Sequence, residues 1–210
     1  MDGPRLIYFA DPMCSWCWGF APVIEAVEPR YGAALPVRLI LGGLRPGTTQ
    51  PMTPAARAEL ATHWTHVHEA SGQPFDHAFL GRDGFVYDTD PACRAVVAAR
   101  RQDPRLALPY LRAAQAAFYA NNRDVTDAGV LTDLAARLGL DRARFEADLA
   151  AEDVKQEAWG DYATSQNAGV RGFPTLIVGP NPDGTFAMVT RGYQPAAPVL
   201  ATIDAWLASK

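Results

Sequence analysis

The stretch Leu6-Ile7-Tyr8-Phe9-Ala10-Asp11-Pro12-Met13-Cys14-Ser15-Trp16-Cys17-Trp18-Gly19-Phe20 decides how the rest of the chain is read. Residues 6–9 are apolar and bounded by Pro4 and Asp11-Pro12, the pattern of a short buried strand. After the cysteines, Val23, Ile24 and Val27 fit one face of a helix. The Cys-x-x-Cys pair therefore falls at a strand-to-helix junction, with Cys14 near the helix N-terminus. Unpaired N–H groups and the positive end of the helix dipole favour a thiolate there. A free thiol of pKa about 8.5 is lowered to roughly 3.5–7.5 at such sites. The expected roles are Cys14 as attacking thiolate and Cys17 as resolving thiol. Two other readings of the pair exist. One is half of a zinc site, which would need four ligands, and the chain has no second Cys-x-x-Cys. The other is a pair of buried, inert cysteines. The strand-motif-helix context favours a dithiol.

Working outward, the 210 residues are 49% hydrophobic and 20% charged, ordinary globular composition with ample material for a core. Nineteen Lys and Arg against 23 Asp and Glu give a formal net charge of −4, which argues against a nucleic-acid or acidic-membrane binder. No run of about 18 apolar residues is present, so no transmembrane helix is expected. Met1-Asp2-Gly3-Pro4-Arg5 lacks the basic and long apolar regions of a secretory leader, so a cytoplasmic location is expected. Disulfides in a reducing cytosol are usually transient and catalytic, and three cysteines are too few for a structural framework.

Residues 35–41 are β-rich and end at Gly42-Gly43. Strand, about 20 residues of helix, then strand is the spacing of a βαβ unit with parallel pairing. Residues 44–53 read as a loop, and Thr53-Pro54 offers a helix cap and a first-position proline. The pattern is then helical to about residue 154. Helices are predicted over 55–71, from Asp90-Pro91 to about 101, from Asp103-Pro104 through Tyr119, from Thr126 or Asp127 to Gly139, and from Asp141 through Leu149. Residues 73–89 read as irregular, and another helix is predicted from about 153 to 168. Residues 175–178 form a predicted strand, the 181–184 segment a turn, and 186–190 its antiparallel partner. Pro195 opens a last helix with Val199, Leu200, Ile203, Trp206 and Leu207 on one face. Strands at the two ends and helices between them suggest a helical block inserted into a small mixed sheet.

With this element order and these motifs the chain resembles the DsbA-like branch of the thioredoxin-fold superfamily, and within it the cytoplasmic bacterial proteins described as protein-disulfide isomerases. Two segments carry the resemblance: residues 8–20, and Gly169-Val170-Arg171-Gly172-Phe173-Pro174-Thr175. It implies an α/β thioredoxin-like fold with a large all-helical insertion, a thioredoxin-like domain over 1–45 and 155–210, and a helical domain over 46–154. It further implies a cis Phe173–Pro174 bond facing the dithiol, with Phe173 and Trp16 beside it in substrate binding. Read by itself, Pro174 is a proline at a strand start, where its missing N–H costs no ladder bond. A cis bond would leave the backbone of Phe173 free to pair with an extended substrate.

The sequence departs from the family in two places. Secreted relatives and thioredoxins carry a buried carboxylate six positions before the first cysteine, where this chain has Tyr8. Secreted oxidases have Pro-His between the cysteines, where this chain has Ser15-Trp16, with no histidine to stabilise a thiolate. Neither Asp11 nor Glu25 is an evident proton relay.

Cys93 on an alanine-rich helix reads as a small core residue rather than a third redox thiol. His63, His66 and His68 read as a half-exposed helix surface rather than a metal site. Trp18, like Trp16, flanks the dithiol. No metal is expected, and the glycines show no phosphate-loop or dinucleotide pattern, so no cofactor is implied. The expected function is thiol–disulfide exchange with protein thiols and disulfides or glutathione as partners. A glutathione-dependent isomerase or kappa-class-like transferase is the first alternative, against which the paired Cys17 argues. The second is a non-catalytic binding module on the same fold.

Overall fold

Arg5–Ala10 form β1, Ser15–Tyr31 form α1 and Val37–Leu41 form β2 in the computed structural model, which describes residues 3–209. β1 and β2 pair in parallel with Tyr8 opposite Leu39, the expected βαβ unit. β2 begins two residues later than the β-rich pattern does, because Gly32–Ala34 form a 3-10 turn and Pro36 has no N–H to donate. β3 (Thr175–Gly179) lies antiparallel on the other side of β1, and β4 (Ala187–Arg191) lies antiparallel to β3. The sheet order is β2-β1-β3-β4. β1 is thus central, which accounts for its apolar run: Leu6, Tyr8, Phe9 and Ala10 are all buried. The β3–β4 register slips between Leu176 and Ile177.

Eight helices of the described residues surround the sheet. α2 (Pro54–Ser71) starts where Thr53 Oγ1 accepts from the Ala56 N–H and stops at Gly72, at φ 75°. α3 spans Asp90–Gln102, α4 Ala107–Gln115, α5 Ala128–Arg137 and α6 Arg142–Ala150. Asp127 and Asp141 cap α5 and α6 through their carboxylates, as their positions predict. The helix predicted from Asp103 to Tyr119 is three pieces: a 3-10 turn at Pro104–Leu106, α4, and a π turn at Ala116–Ala120. α7 (Glu152–Asn167) packs against β2, and α8 (Ala196–Ala208) packs against α1 and β4. Residues 73–89 are irregular except for a 3-10 turn at His77–Gly81.

One polar tie holds α3 and α7 on the sheet, and another joins α1 to the segment after α2. Asp161 of α7 accepts from the Leu41 N–H at 3.1 Å and from Arg100 of α3 at 2.6 Å. The Trp18 indole N–H donates to the Pro74 carbonyl at 3.0 Å, and the Gln73 amide donates back to the Trp18 carbonyl. The apolar core runs without a break from sheet residues such as Leu6 and Leu176 to Trp64, Phe79 and Phe118 among the helices. Among the described residues no helix is long and apolar enough to cross a membrane.

Candidate active site

Cys14 is the last residue before α1, in extended conformation at φ −94° and ψ 114°. A turn places it there: its N–H bonds the Asp11 carbonyl, and its own carbonyl accepts the first helical bond from Trp18. Its side chain stands at a helix N-terminus, where the first-turn N–H groups have no intrahelical partner. Cys17 lies one turn on. Both are free thiols, and the Cys14 thiol lies within hydrogen-bonding contact of Cys17. Their exposure separates them, with Cys14 at 6% and Cys17 at 0%. Burial, and then the neighbouring Cys14, push the Cys17 thiol well above its ordinary pKa.

The Phe173–Pro174 bond is cis, as the family resemblance implies, and so is Gly179–Pro180, which the sequence reading did not anticipate. The Phe173 carbonyl accepts from the Cys14 thiol at 3.6 Å. The Phe173 ring rests directly on the backbone of Gly42, where any side chain would overlap it, and Gly43 makes room for the ring of Tyr162 in the same way. The Gly42-Gly43 pair that ends β2 is therefore a seat for the loop that touches Cys14. Pro174 is buried behind Phe173.

A cavity of about 290 Å³ opens beside Cys14. Cys14, Trp16 and Phe173 line it, as do Arg45, His63 and Tyr87 from segments outside the two motifs. Cys17 and Pro174 are not among its lining residues. Trp16 sits at the rim, with its ring 5.6 Å from that of Tyr193 and 5.8 Å from that of His63. Trp18 is buried instead. His63 is half-buried, in keeping with a half-exposed helix surface, and it also lines the dithiol pocket, because α2 packs against the start of α1. Burial, then His66, hold its pKa below the ordinary value. A larger cavity of about 1100 Å³ lies at the opposite end of the strands, bordered by Arg5 and residues of β2. It is remote from both cysteines, so the smaller cavity is the relevant one.

Behind the cysteines lies a polar network without a signal in the sequence. Asp11 is fully buried, and its carboxylate accepts from the N–H groups of Met13 and Leu44 at 2.8 Å and from the Cys93 thiol at 3.4 Å. Burial outweighs these bonds and raises its pKa. The Asp11 N–H in turn bonds Cys17. Cys93 is buried, as a core cysteine should be, but it also links Asp11 to Tyr162, and burial then Asp11 push its thiol well up. The Tyr8 hydroxyl contacts Cys17, so a neutral group stands beside the buried thiol. Glu25 is on the surface near Arg112, away from the thiols. Among the described residues no group of three or more His, Cys, Asp or Glu side chains is placed to hold a metal ion.

Comparison with known proteins agrees with this architecture. A crystal structure of a candidate protein disulfide isomerase from Nitrosomonas europaea superposes with a TM-score of 0.91 at 38% identity, covering 99% of each chain. The cytosolic disulfide reductase DsbM from Pseudomonas aeruginosa superposes with a TM-score of 0.81 at 28% identity, over 98% of this chain and all of its own. A structure of DsbM with GSH matches at a TM-score of 0.79 and 27% identity, over 97% of this chain and 99% of that one. The ClpXP adapter protein SpxH of Halalkalibacterium halodurans is 28% identical over 83% of this chain and 58% of its own length. The chain thus spans less than two thirds of the curated relatives it matches. A thioredoxin family model covers residues 8–197. The chain belongs to the thioredoxin family, in the DsbA-like arrangement that sets a helical block between the two halves of the sheet.

Proposed function

We propose that this protein is a thiol–disulfide oxidoreductase in which Cys14 and Cys17 are the catalytic pair. One observation carries the reading: Cys14 faces a pocket and touches the Phe173 carbonyl, while Cys17 is buried directly behind it. The Cys14 thiolate attacks one sulfur of a substrate disulfide, the substrate S–S bond breaks, and one substrate half leaves as thiolate. Cys17 then attacks the Cys14 sulfur, the second half leaves, and a Cys14–Cys17 disulfide closes. The substrate gains two electrons and the protein loses two. The reverse sequence oxidises. Phe173 and Trp16 position the substrate, and Pro174 holds Phe173 in place. A thioredoxin-like unit over 1–45 and 155–210 supplies the dithiol, and a helical unit over 46–154 supplies the far wall of the pocket.

Partners of this chemistry are protein thiols and disulfides or glutathione. The likeness to DsbM, which has been crystallised with GSH and is described as cytosolic, supports both this partner class and a cytoplasmic location. The test is turnover of a model disulfide by Cys14→Ser and Cys17→Ser. Cys14→Ser is expected to lose it, and Cys17→Ser to accumulate mixed disulfides. Undiminished turnover in Cys14→Ser overturns the mechanism. A redox titration of the pair, read by tryptophan fluorescence, fixes the direction. A midpoint near about −270 mV marks a reductase and one above about −200 mV an isomerase or oxidant.

The match to SpxH favours a second reading, a protein-binding adapter on the same fold. An adapter would keep its partner affinity after both cysteines are changed to serine, and an exchange enzyme would not.

A further inference from the structure

The dithiol pocket has one cation and no carboxylate on its wall. Arg45 comes from the loop after β2, and its backbone is fixed on both sides: its N–H donates to Thr89 Oγ1 at 3.1 Å, and its carbonyl accepts from the Thr89 N–H at 3.4 Å. Its guanidinium lies over the ring of Tyr87, 5.0 Å from the centroid. The Tyr87 hydroxyl donates to the carbonyl of Met13, the residue before Cys14. The cation is thus held at a set distance from the reactive end of the dithiol by a ring and a hydrogen bond. Among the described residues no carboxylate pairs with Arg45, whereas Arg57 on α2 is tied to Asp83. In the large cavity at the other end of the sheet, Arg100 and Arg101 are neutralised by Asp161, Glu157 and Asp153. A cation left unpaired beside a nucleophile is suited to an anion that arrives with the substrate.

We infer that Arg45 is the anion subsite of the pocket, and that the favoured substrate is a small peptide-like disulfide carrying a free carboxylate. The inference rests on the dithiol reading above and adds the residue that selects an anionic partner from that class. The pocket's volume of about 290 Å³ lies near the small end of ligand sites, so it suits a short peptide better than a folded surface. His63, its pKa lowered by burial, stands on the same wall with its ring against that of Trp16.

The experiment uses a ligand that cannot react. S-methylglutathione and its dimethyl ester are titrated calorimetrically into the wild-type protein and into Arg45→Met. Wild type is expected to bind the free acid at least about tenfold more tightly than the ester, a gap of about 1.4 kcal/mol. Arg45→Met is expected to bind both at the weaker level, because masking the two carboxylates removes the group that Arg45 meets, and removing the cation deletes the same contact. Arg45→Lys should recover part of the preference. Additive losses, an unchanged preference in Arg45→Met, or no binding of the free acid to wild type each overturn the subsite. The ligand has no free thiol, so the result is independent of exchange chemistry. Turnover of a neutral disulfide without acid-selective binding would leave the oxidoreductase reading standing and remove the subsite. Acid-selective binding without turnover would do the reverse.

Discussion

Cys14 and Cys17 are three residues apart, yet their surroundings differ in kind. Cys14 faces a cavity and a backbone carbonyl, whereas Cys17 is enclosed by Cys14, the Asp11 N–H and the Tyr8 hydroxyl. Burial disfavours the charged form of Cys17, and Cys93 is enclosed in the same way. Iodoacetamide at neutral pH is therefore expected to label Cys14 ahead of Cys17 and Cys93, with peptide mass mapping as the readout. Equal labelling of all three in folded protein would contradict this environment. Asp11 gives a second prediction. Its pKa is raised by burial, so the native state holds its proton more tightly than the unfolded chain does. Its contribution to stability is fully present below the ordinary carboxylate pKa of about 3.9 and is lost as pH rises through the folded value. The stability of wild type relative to Asp11→Asn should therefore fall as pH rises above the ordinary carboxylate pKa of about 3.9, as measured by urea unfolding. A flat or rising difference would mean that Asp11 is ionised in the native protein at low pH.

At the scale of elements, three segments far apart in the chain meet at Gly42. β2 ends there, its N–H bonds the Ala10 carbonyl at the end of β1, and the Phe173 ring lies on it. The contact leaves no room for a Cβ, so Gly42→Ala must push the Phe173–Pro174 loop away from Cys14 or shift β2. Overpacking of this kind costs roughly 1–3 kcal/mol. Turnover in Gly42→Ala is expected to fall further than the folded fraction does, because the displaced group is the carbonyl that touches the Cys14 thiol. A loss of activity that merely tracks the urea midpoint would assign Gly42 to the scaffold alone. α2 and the loop after β2 have the complementary role. One brings His63 and the other Arg45 to the same cavity as the cysteines, so neither half of the chain forms the pocket by itself.

The whole molecule is joined through one core. Trp64 is fully buried among Phe75, Phe79, Phe118 and Tyr119, with ring centroids 5.2–6.2 Å from its own. This aromatic cluster is continuous with the apolar face of α1. Trp64→Ala is expected to cost about 3–5 kcal/mol. Because the core has no gap between the sheet and the helical block, tryptophan fluorescence and far-UV circular dichroism should report one coincident urea transition in wild type. Two separated transitions would show that the helical block unfolds as a unit of its own.

Local patterning determined the strands, the helix caps at Thr53, Asp127 and Asp141, and the strand-motif-helix junction at Cys14, because strand period, cap chemistry and proline position act between near neighbours. The cis bond before Pro174 followed from the family motif rather than from spacing. The break of the long helix at residue 116 was not legible, since a π turn has no distinct composition. Nor was the wall of the pocket. Arg45, His63 and Tyr87 carry ordinary loop and helix signals, and only the packing of α2, the loop after β2 and the segment after α2 around the start of α1 makes them neighbours of Cys14. Asp11 and Cys93 lie on different elements, and close packing alone brings the carboxylate and the thiol together. The sequence by itself determined that two cysteines stand one turn apart at a strand-to-helix junction. The tertiary structure decided which thiol faces outward and what charge stands beside it, because burial and electrostatic environment depend on segments distant in the chain.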